Sequence, residues 1–368
     1  MTDLLVHLTT PAEWRAALDT GAVRPPSLAE AGFVHLSAPG QVHLPAERLF
    51  PGRRDVVLLV VDPARLTAPL RWEPGVPTDP ASMRFPHLYG ELPAAAVVGV
   101  VPWRPDPLPA LPRPADAAAR HRALAVSLPV RRAGTVVDLP GGFAVADPAF
   151  GASRDDNRVL LTSLPSAGEV DELTTALAVE LRWPVPAAAL LNPGAAPVAA
   201  ELERRGWDVA PTLVMARWAP FPADDGPAAV VPQHDVHDLW DRSWRRGLAG
   251  LPAPELDRAV AQLVGREHRT DTVVRVLDVA VRHGDRVVAS GQLRIDGATA
   301  VVEAVLTDPG ARRRGHGDAV LGRCLALAAD AGCDLVVLDA AAHDWPREWY
   351  ARRGFAVVGR TWDVHRAA

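Results

Sequence analysis

The chain has 368 residues, of which 48% are hydrophobic and 23% are charged. Such a composition is typical of a globular protein, and the length predicts two or three domains because it exceeds one ordinary hydrophobic core. The formal net charge of −5 argues against a nucleic-acid partner, since basic residues cluster only locally. Neither a signal peptide nor a long apolar run is present, so we expect a cytoplasmic protein without a membrane partner.

Residues 1–103 form the first predicted domain, a small α+β unit. The segment Thr10-Pro11-Ala12-Glu13 is typical of a capping box with proline in the first turn, and it predicts a helix that ends at Gly21. The sequence predicts five strands, over 4–8, 33–36, 56–62, 70–72 and 96–101. The proline-rich run 102–109 cannot join a sheet ladder, so residues 104–127 are predicted to form a stiff linker and a connector helix.

Five side chains of this domain stand at predicted strand ends or in turns: His7, Arg24, His35, His87 and Tyr89. Through Arg24-Pro-Pro-Ser, Phe85-Pro-His-Leu-Tyr-Gly90 and the other histidines, residues 5–101 resemble a bacterial domain family of unknown function with an ADP-ribosyltransferase-like fold. The resemblance implies that fold, and it implies that the five side chains line a nucleotide or phosphate pocket. The alternative is that they are hydrogen-bonded residues at the rim of a sheet. Their spacing contains no pair typical of metal ligands, so no metal is expected.

Residues 128–222 form the next predicted unit, with helices over 169–183 and 196–206 and a strand over 209–218. Its most informative feature is an internal repeat, because residues 201–209, ELERRGWDV, parallel residues 349–357, WYARRGFAV. The first copy has Leu202 where the second copy has Tyr350. Chance similarity over nine residues is the alternative interpretation.

The segment 301–355 predicts a strand, a basic turn, a helix, a second strand and a short helix ending in Tyr350-x-x-x-Gly354-Phe355. The turn Arg312-Arg313-Arg314-Gly315-His316-Gly317 leads into a helix expected to begin at Asp318. The first N–H groups of a helix lack intrahelical partners and lie at its positive end, which favours an anion. The two glycines leave room for a phosphate and the arginines add forked donors, so the turn predicts a diphosphate site.

The spacing of this turn distinguishes between nucleotide-binding motifs. Neither the dinucleotide pattern G-x-G-x-x-G nor a P-loop is present. The turn instead has the pattern R/Q-x-x-G-x-G/A, and with Tyr350 and Gly354-Phe355 at the expected distance, residues 228–368 resemble the GNAT N-acetyltransferases. The resemblance implies a mixed sheet with flanking helices, and it implies that the middle unit is a degenerate GNAT-like lobe in tandem with an active one.

The resemblance also implies roles for individual residues, with acetyl-CoA as the co-substrate and a primary amine of a small molecule or peptide as the acceptor. The residues implied to hold CoA are Val305, Leu306, Thr307, Arg312, Arg313, Arg314, Gly315, His316, Gly317, Asp318 and His343, the last standing where relatives often have asparagine. Tyr350 is implied to protonate the leaving thiolate, and Glu303 is a candidate general base. Trp240, Trp244 and Arg245 are candidate acceptor contacts, because the first helices of relatives roof the acceptor pocket. A core position is the alternative for both tryptophans.

Two other functions remain open at this point. The N-terminal domain could carry the main activity as an NAD- or nucleotide-binding ADP-ribosyltransferase-like unit, with the GNAT region as an acyl-CoA sensor. The GNAT region could also be a noncatalytic CoA-binding scaffold. A CoA thiol released in the presence of amines would distinguish an enzyme from a scaffold.

Overall fold

The computed structural model describes residues 4–75, 80, 82–105, 109–224 and 226–366. Residues 106–108 of the proline-rich run lie outside the described residues. The fold is a mixed α+β structure in which helices cover a large mixed sheet. Among the described helices, none combines the length and the hydropathy that crossing a membrane requires.

The N-terminal region contains short strands in three small sheets. Its strands are β1 Leu5–Thr9, β2 Ala22–Val23, β3 Val34–His35, β4 Val57–Val61, β5 Leu70–Pro74, β6 Arg84–Leu88, β7 Leu92–Pro93 and β8 Val97–Pro102, and its helices are α1 Pro11–Thr20, α2 Pro26–Ala31 and α3 His43–Leu49. The sheets have the orders β1-β4-β8, β2-β7 and β3-β6-β5. The capping box predicted for α1 is confirmed, since Thr10 and Glu13 each cap the other's backbone amide, and Gly21 ends the helix at φ 78°.

The remaining elements belong to the middle and C-terminal parts of the chain. The middle part contains α4 Ala117–Arg132, β9 Thr135–Leu139, β10 Gly142–Ala146, β11 Arg158–Leu161, α5 Ala167–Glu180, β12 Ala187–Leu190, α6 Ala196–Arg204 and β13 Trp207–Trp218. The C-terminal part contains β14 Ala229–Val231, α7 His237–Gly247, α8 Ala253–Gly265, α9 Glu267–Thr270, β15 Arg275–His283, β16 Arg286–Asp296, β17 Thr299–Thr307, α10 His316–Asp330, β18 Leu335–Ala341, α11 Pro346–Ala351 and β19 Ala356–Arg366. Strand β9 was not foreseen, because its sequence lacks a sustained apolar run.

One sheet of eleven strands joins the middle and C-terminal parts in the order β14-β15-β16-β17-β18-β13-β19-β12-β11-β10-β9. Strand β13, from the middle part, lies between β18 and β19 of the C-terminal part. Strand β19 in turn pairs with β12 of the middle part. The two parts therefore exchange their last strands, and neither part has a complete sheet of its own.

The two halves of this sheet repeat the same order of elements. In each half a strand is followed by a helix, a parallel strand, a short helix and a long strand: β11-α5-β12-α6-β13 and β17-α10-β18-α11-β19. The nine-residue sequence repeat falls on the last helix and strand of each half. At its centre Gly206 and Gly354 adopt φ values of 83° and 81°, a left-handed conformation that glycine accepts without strain.

A continuous hydrophobic core joins the N-terminal region to the C-terminal sheet. This core contains N-terminal, α4 and sheet residues, among them Trp14, Leu59, Leu124, Val301, Leu335 and Val337. The turn between β16 and β17 fits closely against the N-terminal region, since a Cβ added at Gly297 would lie 2.4 Å from the Val97 carbonyl oxygen. The connector helix α4 extends to Arg132 and packs against β8 and β10, so it contacts both neighbouring parts.

Candidate active site

Strands β17 and β18 separate at the centre of the C-terminal sheet. They pair in parallel only where Thr299–Val301 of β17 lie beside Leu335–Val337 of β18. Beyond this point Ala304 has a positive φ of 51° and the β16–β17 register shifts at Gly291, which together mark a β-bulge. A Cβ at Gly291 would lie 2.7 Å from Val320 of α10, so glycine lets the helix pack closely here. The bulge bends β17 away from β18 and leaves a gap between them.

The edge of β17 that faces the gap carries unpaired backbone groups. The Asp308 amide donates to the Val288 carbonyl at 2.8 Å and so points toward β16. Because successive residues of a strand alternate in direction, the amides of Val305 and Thr307 point toward the gap. The Thr307 carbonyl already accepts a hydrogen bond from Arg312 Nε on that side, at 3.3 Å. An extended ligand can therefore pair with this edge as an additional strand would.

Helix α10 begins beside the gap with an uncapped N-terminus. Its first residue is His316, two residues before the predicted start, and the preceding Gly315 has φ 78° and provides no side-chain cap. The corresponding helix of the other half, α5, is capped reciprocally by Ser166 and Glu169. In α5 the Glu169 amide therefore donates to the Ser166 hydroxyl, whereas no described side chain accepts from the first amides of α10. The amides of α10 are available to bind an anion.

The side chains around the N-terminus of α10 give the turn a positive charge. Residues Arg312–Arg314 are exposed, and the second and third of these arginines make no ion pair with any described residue. The Asp318 carboxylate is engaged by Arg353 and by the Trp349 indole at 3.1 Å, so it ties α10 to α11. A Cβ at Gly317 would lie 3.5 Å from Trp349, an ordinary contact distance. The backbone of the turn remains accessible.

The two histidines predicted to hold CoA lie at different depths. His316 is half-buried in the first turn of α10, whereas His343 is exposed in the turn that follows β18. His316 therefore belongs to the anion-binding turn itself. His343 lies at the other strand of the gap, on its rim.

Tyr350 lies in the core beneath the gap with only 8% of its surface exposed. Its ring packs against Trp349 at 4.7 Å and Phe355 at 5.8 Å between ring centroids. Burial raises the pKa of the Tyr350 phenol, and the nearby Glu303 carboxylate raises it further. The phenol is therefore protonated at neutral pH, and no hydrogen bond to its hydroxyl is formed within the described part of the chain. Such a group can donate a proton.

Glu303 lies on β17 at the point where the two strands separate. Since Val301 aligns with Val337, alternation places Glu303 and Asp339 on one face of the sheet at the gap. The Glu303 side chain is 37% exposed and lies 3.8 Å from Arg294, too far for a hydrogen bond. Desolvation raises the pKa of Glu303, Arg294 opposes the shift and Asp339 adds to it. A carboxylate in this state is a stronger base than an ordinary one.

His121 of α4 is a residue of this site that the sequence did not indicate. It is buried, and its Nε2 lies 3.1 Å from the Asp339 carboxylate. Burial lowers the pKa of His121, but Asp339 and then Glu303 more than offset this, so the net pKa is raised. His121 and Asp339 are 218 residues apart, and no local pattern marks a lone histidine on a helix as functional.

The three predicted acceptor contacts lie on α7, whose two tryptophans belong to a hydrophobic cluster that Leu306 of β17 also contacts. Trp240 is buried in a hydrophobic cluster, and its indole N–H donates to Ser290 Oγ at 3.3 Å. Arg245 pairs with Asp257 and with an aspartate one turn earlier on the outer surface of α7. Trp244 lines a cavity of ≈ 550 Å³ between α8 and the segment 151–157. Only Trp244 is thus placed beside a space that a ligand could enter.

Three of the five predicted N-terminal pocket residues line one cavity of ≈ 840 Å³, which we call the N-terminal cavity: His7, Arg24 and His35. His87 is buried behind His35, with the two rings 4.9 Å apart. Tyr89 donates to Glu73 at 2.7 Å and does not line the cavity. The prediction that all five converge on one pocket is therefore wrong for His87 and Tyr89, whose side chains are taken up by packing and hydrogen bonding.

An open strand edge, an uncapped helix and a buried phenol near a carboxylate together suit acyl transfer. Comparison with known families agrees, because residues 234–355 match the Acetyltransferase (GNAT) family. The chain thus carries a C-terminal GNAT acetyltransferase domain and is an acyltransferase. Residues 8–100 match a family described as a protein of unknown function, DUF952.

Several solved structures are similar to parts of the chain. A GCN5-related N-acetyltransferase from Kribbella flavida is 17% identical, covering 68% of this chain and 96% of that chain with a TM-score of 0.46. A functionally unknown conserved protein from Staphylococcus epidermidis is 9% identical, covering 63% and 94%, with a TM-score of 0.49. A protein from Caulobacter crescentus is 31% identical, covering 28% and 90%, with a TM-score of 0.25. No protein of curated function matches the chain.

Proposed function

We propose that the protein is an acetyl-CoA-dependent N-acetyltransferase that acts on a primary amine of a small molecule or peptide by direct transfer. The observation that carries this proposal is the uncapped N-terminus of α10 beside the unpaired edge of β17. Both features leave backbone donors free at one gap. A ligand that combines a diphosphate with an extended amide-containing arm satisfies both.

The residues around the gap fit such a ligand. The free amides of α10 and the exposed Arg312–Arg314 would hold the diphosphate, because an anion is favoured by the helix end and by forked cationic donors. Val305 and Thr307 would pair their outward amides with the pantetheine arm. Gly315 has no side chain, and a Cβ added there would meet no atom within 4 Å, so the space beside the turn is open.

The same geometry supports a chemical role for each polar group. Glu303 would remove the proton from the acceptor ammonium, directly or through water, and the amine would attack the thioester carbonyl carbon. A strand amide near Thr307 would polarise the carbonyl oxygen. As the C–N bond forms and the C–S bond breaks, Tyr350 would give its proton to the departing sulfur, and the second proton that the nitrogen loses on becoming an amide would return, through water, to the Tyr350 oxygen. Glu303 would thus act as the base and Tyr350 as the acid, on opposite sides of the gap.

The middle part of the chain would be a degenerate GNAT-like lobe that retains the packing and lacks the chemistry. Its repeated order of elements supports this, and two differences account for the loss of function. Leu202 occupies the place of Tyr350 and has no proton to give, and the capping box at Ser166 fills the helix end that would bind a diphosphate. The ADP-ribosyltransferase-like fold of residues 1–103, their NAD- or nucleotide-linked activity and the cytoplasmic location remain predictions.

Calorimetric titration of acetyl-CoA into two matched variants tests the proposal. Gly317→Glu places a carboxylate at the diphosphate position, where Gly317 has no backbone strain, and should weaken acetyl-CoA binding at least a hundredfold, about 3 kcal/mol. Ala329→Glu adds the same charge at an exposed position near the other end of α10 and should leave binding within about twofold. Equal affinity in both variants would exclude the assigned site. Release of CoA thiol with a panel of primary amines then tests transfer.

A further inference from the structure

We propose that the N-terminal cavity is a second ligand site, which binds an organic anion that has an apolar body and a hydrogen-bond donor. This second site is argued independently of the acetyl-transfer proposal. The cavity lies between α1, α3 and the strands β1 and β3, on the part of the molecule that the acetyltransferase domain does not include. Its volume of ≈ 840 Å³ is within the range of small-molecule sites.

The walls of the cavity are mainly apolar, which selects a ligand with an apolar body. Phe50, Met83 and Phe85 line it together with aliphatic residues of α1 and α3. At its rim Leu44 and Leu49 of α3 are 38% and 61% exposed, so the apolar lining continues to the mouth of the cavity. A planar apolar group seated here would cover this surface.

His7 supplies a hydrogen-bond acceptor inside the cavity. Its Nδ1 lies 2.8 Å from the carbonyl oxygen of His35, and since a carbonyl can only accept, Nδ1 carries the proton. Burial lowers the pKa of His7, so the ring is neutral and Nε2 keeps its lone pair. No described residue donates to Nε2. A ligand hydroxyl or N–H group would satisfy it.

An arginine without a partner at the cavity provides a place for a ligand anion. Arg48 lines the cavity and makes no ion pair or hydrogen bond with any residue among those that the structure describes. The second lining arginine, Arg24, is paired with Glu91 at 2.6 Å. Glu13 is the acid that lines the cavity, and its Oε2 already accepts from the hydroxyls of Thr9 and Thr10 at 2.9 Å. Glu13 is thus held by neutral donors, whereas Arg48 is the lining charge for which no described residue provides a hydrogen bond or a counter-ion, and a ligand anion could pair with it.

Phenyl phosphate is a suitable probe, because it joins an anion to a planar apolar ring. Titrated into the full chain and followed by ligand-observed NMR, it should bind saturably at one site. Inorganic phosphate and benzyl alcohol each provide only half of the recognised chemistry, and each should bind at least tenfold more weakly. Benzoate distinguishes a phosphate from a carboxylate preference. Absence of saturable phenyl phosphate binding at 10 mM, a concentration of about 10 times a typical fragment Kd of 1 mM, would overturn the proposal.

Four variants locate the bound probe. Ala16→Trp, at an exposed α1 position on the cavity wall, should block binding. Arg48→Gln removes the unpartnered charge and should weaken phenyl phosphate binding at least fivefold. His7→Asn keeps a donor for the His35 carbonyl and removes the acceptor at the Nε2 position, so it should weaken binding of 4-hydroxyphenyl phosphate, which adds a hydroxyl donor, at least fivefold and leave phenyl phosphate binding unchanged. The control is Arg53→Gln, an exposed arginine outside the cavity that pairs with Asp55.

Each variant is first shown to be folded by an unchanged circular dichroism spectrum and unfolding midpoint. Unchanged phenyl phosphate affinity in Ala16→Trp, or equal losses in Arg48→Gln and Arg53→Gln, would place the probe elsewhere and refute the site. Acetyl-CoA affinity, measured on the same samples, should not change in any of the four. The failure of this proposal and that of the acetyl-transfer proposal are therefore distinguishable.

Discussion

At the scale of single residues, the candidate active site depends on two ionisable groups, and their surroundings raise the pKa of each. Tyr350 is a buried phenol that stays protonated, and Glu303 is a carboxylate whose pKa is raised mainly by desolvation. A raised pKa makes Glu303 a stronger base, and a phenol that keeps its proton beside the same gap can serve as the acid. The two assignments can be tested separately, because they affect different steps.

Replacing Tyr350 with phenylalanine removes the proposed acid and keeps the ring that packs against Phe355. We expect kcat to fall about a hundredfold, within the ~10²–10⁴ range of general acid catalysis, with acetyl-CoA affinity unchanged. Steady-state kinetics and calorimetric titration measure the two quantities. A variant that loses affinity as much as turnover would show that Tyr350 has a binding role instead.

The proposed role of Glu303 as the base predicts how kcat/KM depends on pH. A base acts only when deprotonated, so kcat/KM should rise with pH through the pKa of Glu303, which lies above its ordinary value of 4.5. Arg294, Asp339 and His121 surround this carboxylate, and Glu303→Gln should lower kcat/KM and abolish the acidic limb. His121→Asn is the comparison, because the pKa of His121 is also raised. If the limb survives in Glu303→Gln and disappears in His121→Asn, then His121 is the base.

At the scale of elements, the position of α10 beside the gap depends on how closely this helix packs on β16 at the bulge. Gly291 makes this approach possible, since the space that a Cβ would need is occupied by Val320 of the helix. The helix carries the anion-binding turn at its N-terminus, so its distance from the sheet also sets the position of that turn.

Substitution of Gly291 by alanine should therefore affect both stability and binding. The added Cβ would lie 2.7 Å from Val320 and 3.4 Å from Val305, and overpacking of this kind costs about 1–3 kcal/mol of unfolding free energy. The double variant Gly291→Ala, Val320→Ala relieves the overlap. Its loss in urea unfolding should be smaller than the sum of the two single losses. Strictly additive losses would mean that the helix does not press on Gly291.

At the scale of the whole molecule, the N-terminal region is joined to the base of the catalytic sheet. Asp296, the last residue of β16, accepts from the Trp14 indole at 2.7 Å and from Arg131 at 2.5 Å. The Arg131 and Asp296 side chains are only 1% and 3% exposed. A helix of the N-terminal region and the connector α4 thus meet on one buried carboxylate, which holds one end of β17 in place.

Removing this carboxylate should destabilise the protein strongly. Asp296→Ala leaves the buried Arg131 without its charge partner, for which we expect a loss of about 3–5 kcal/mol in unfolding free energy. Asp271→Ala removes a half-exposed carboxylate that pairs with Arg15 between the same two regions, and should cost about 0–1 kcal/mol. Denaturant unfolding of both variants measures the difference. Similar small losses would show that Asp296 does not join the two regions.

Local features of this protein follow from the sequence alone, because they depend on neighbours within a few positions. The capping box of α1, the glycine turn before α10 and the nine-residue repeat that contains Gly206 and Gly354 are of this kind. Only the tertiary structure reveals the strand exchange that places β13 beside β18, the bulge at Ala304 and the contact between His121 and Asp339. These features depend on which distant segments pack together, and the free energy of that packing comes from buried surface shared by the whole chain, which no local pattern records.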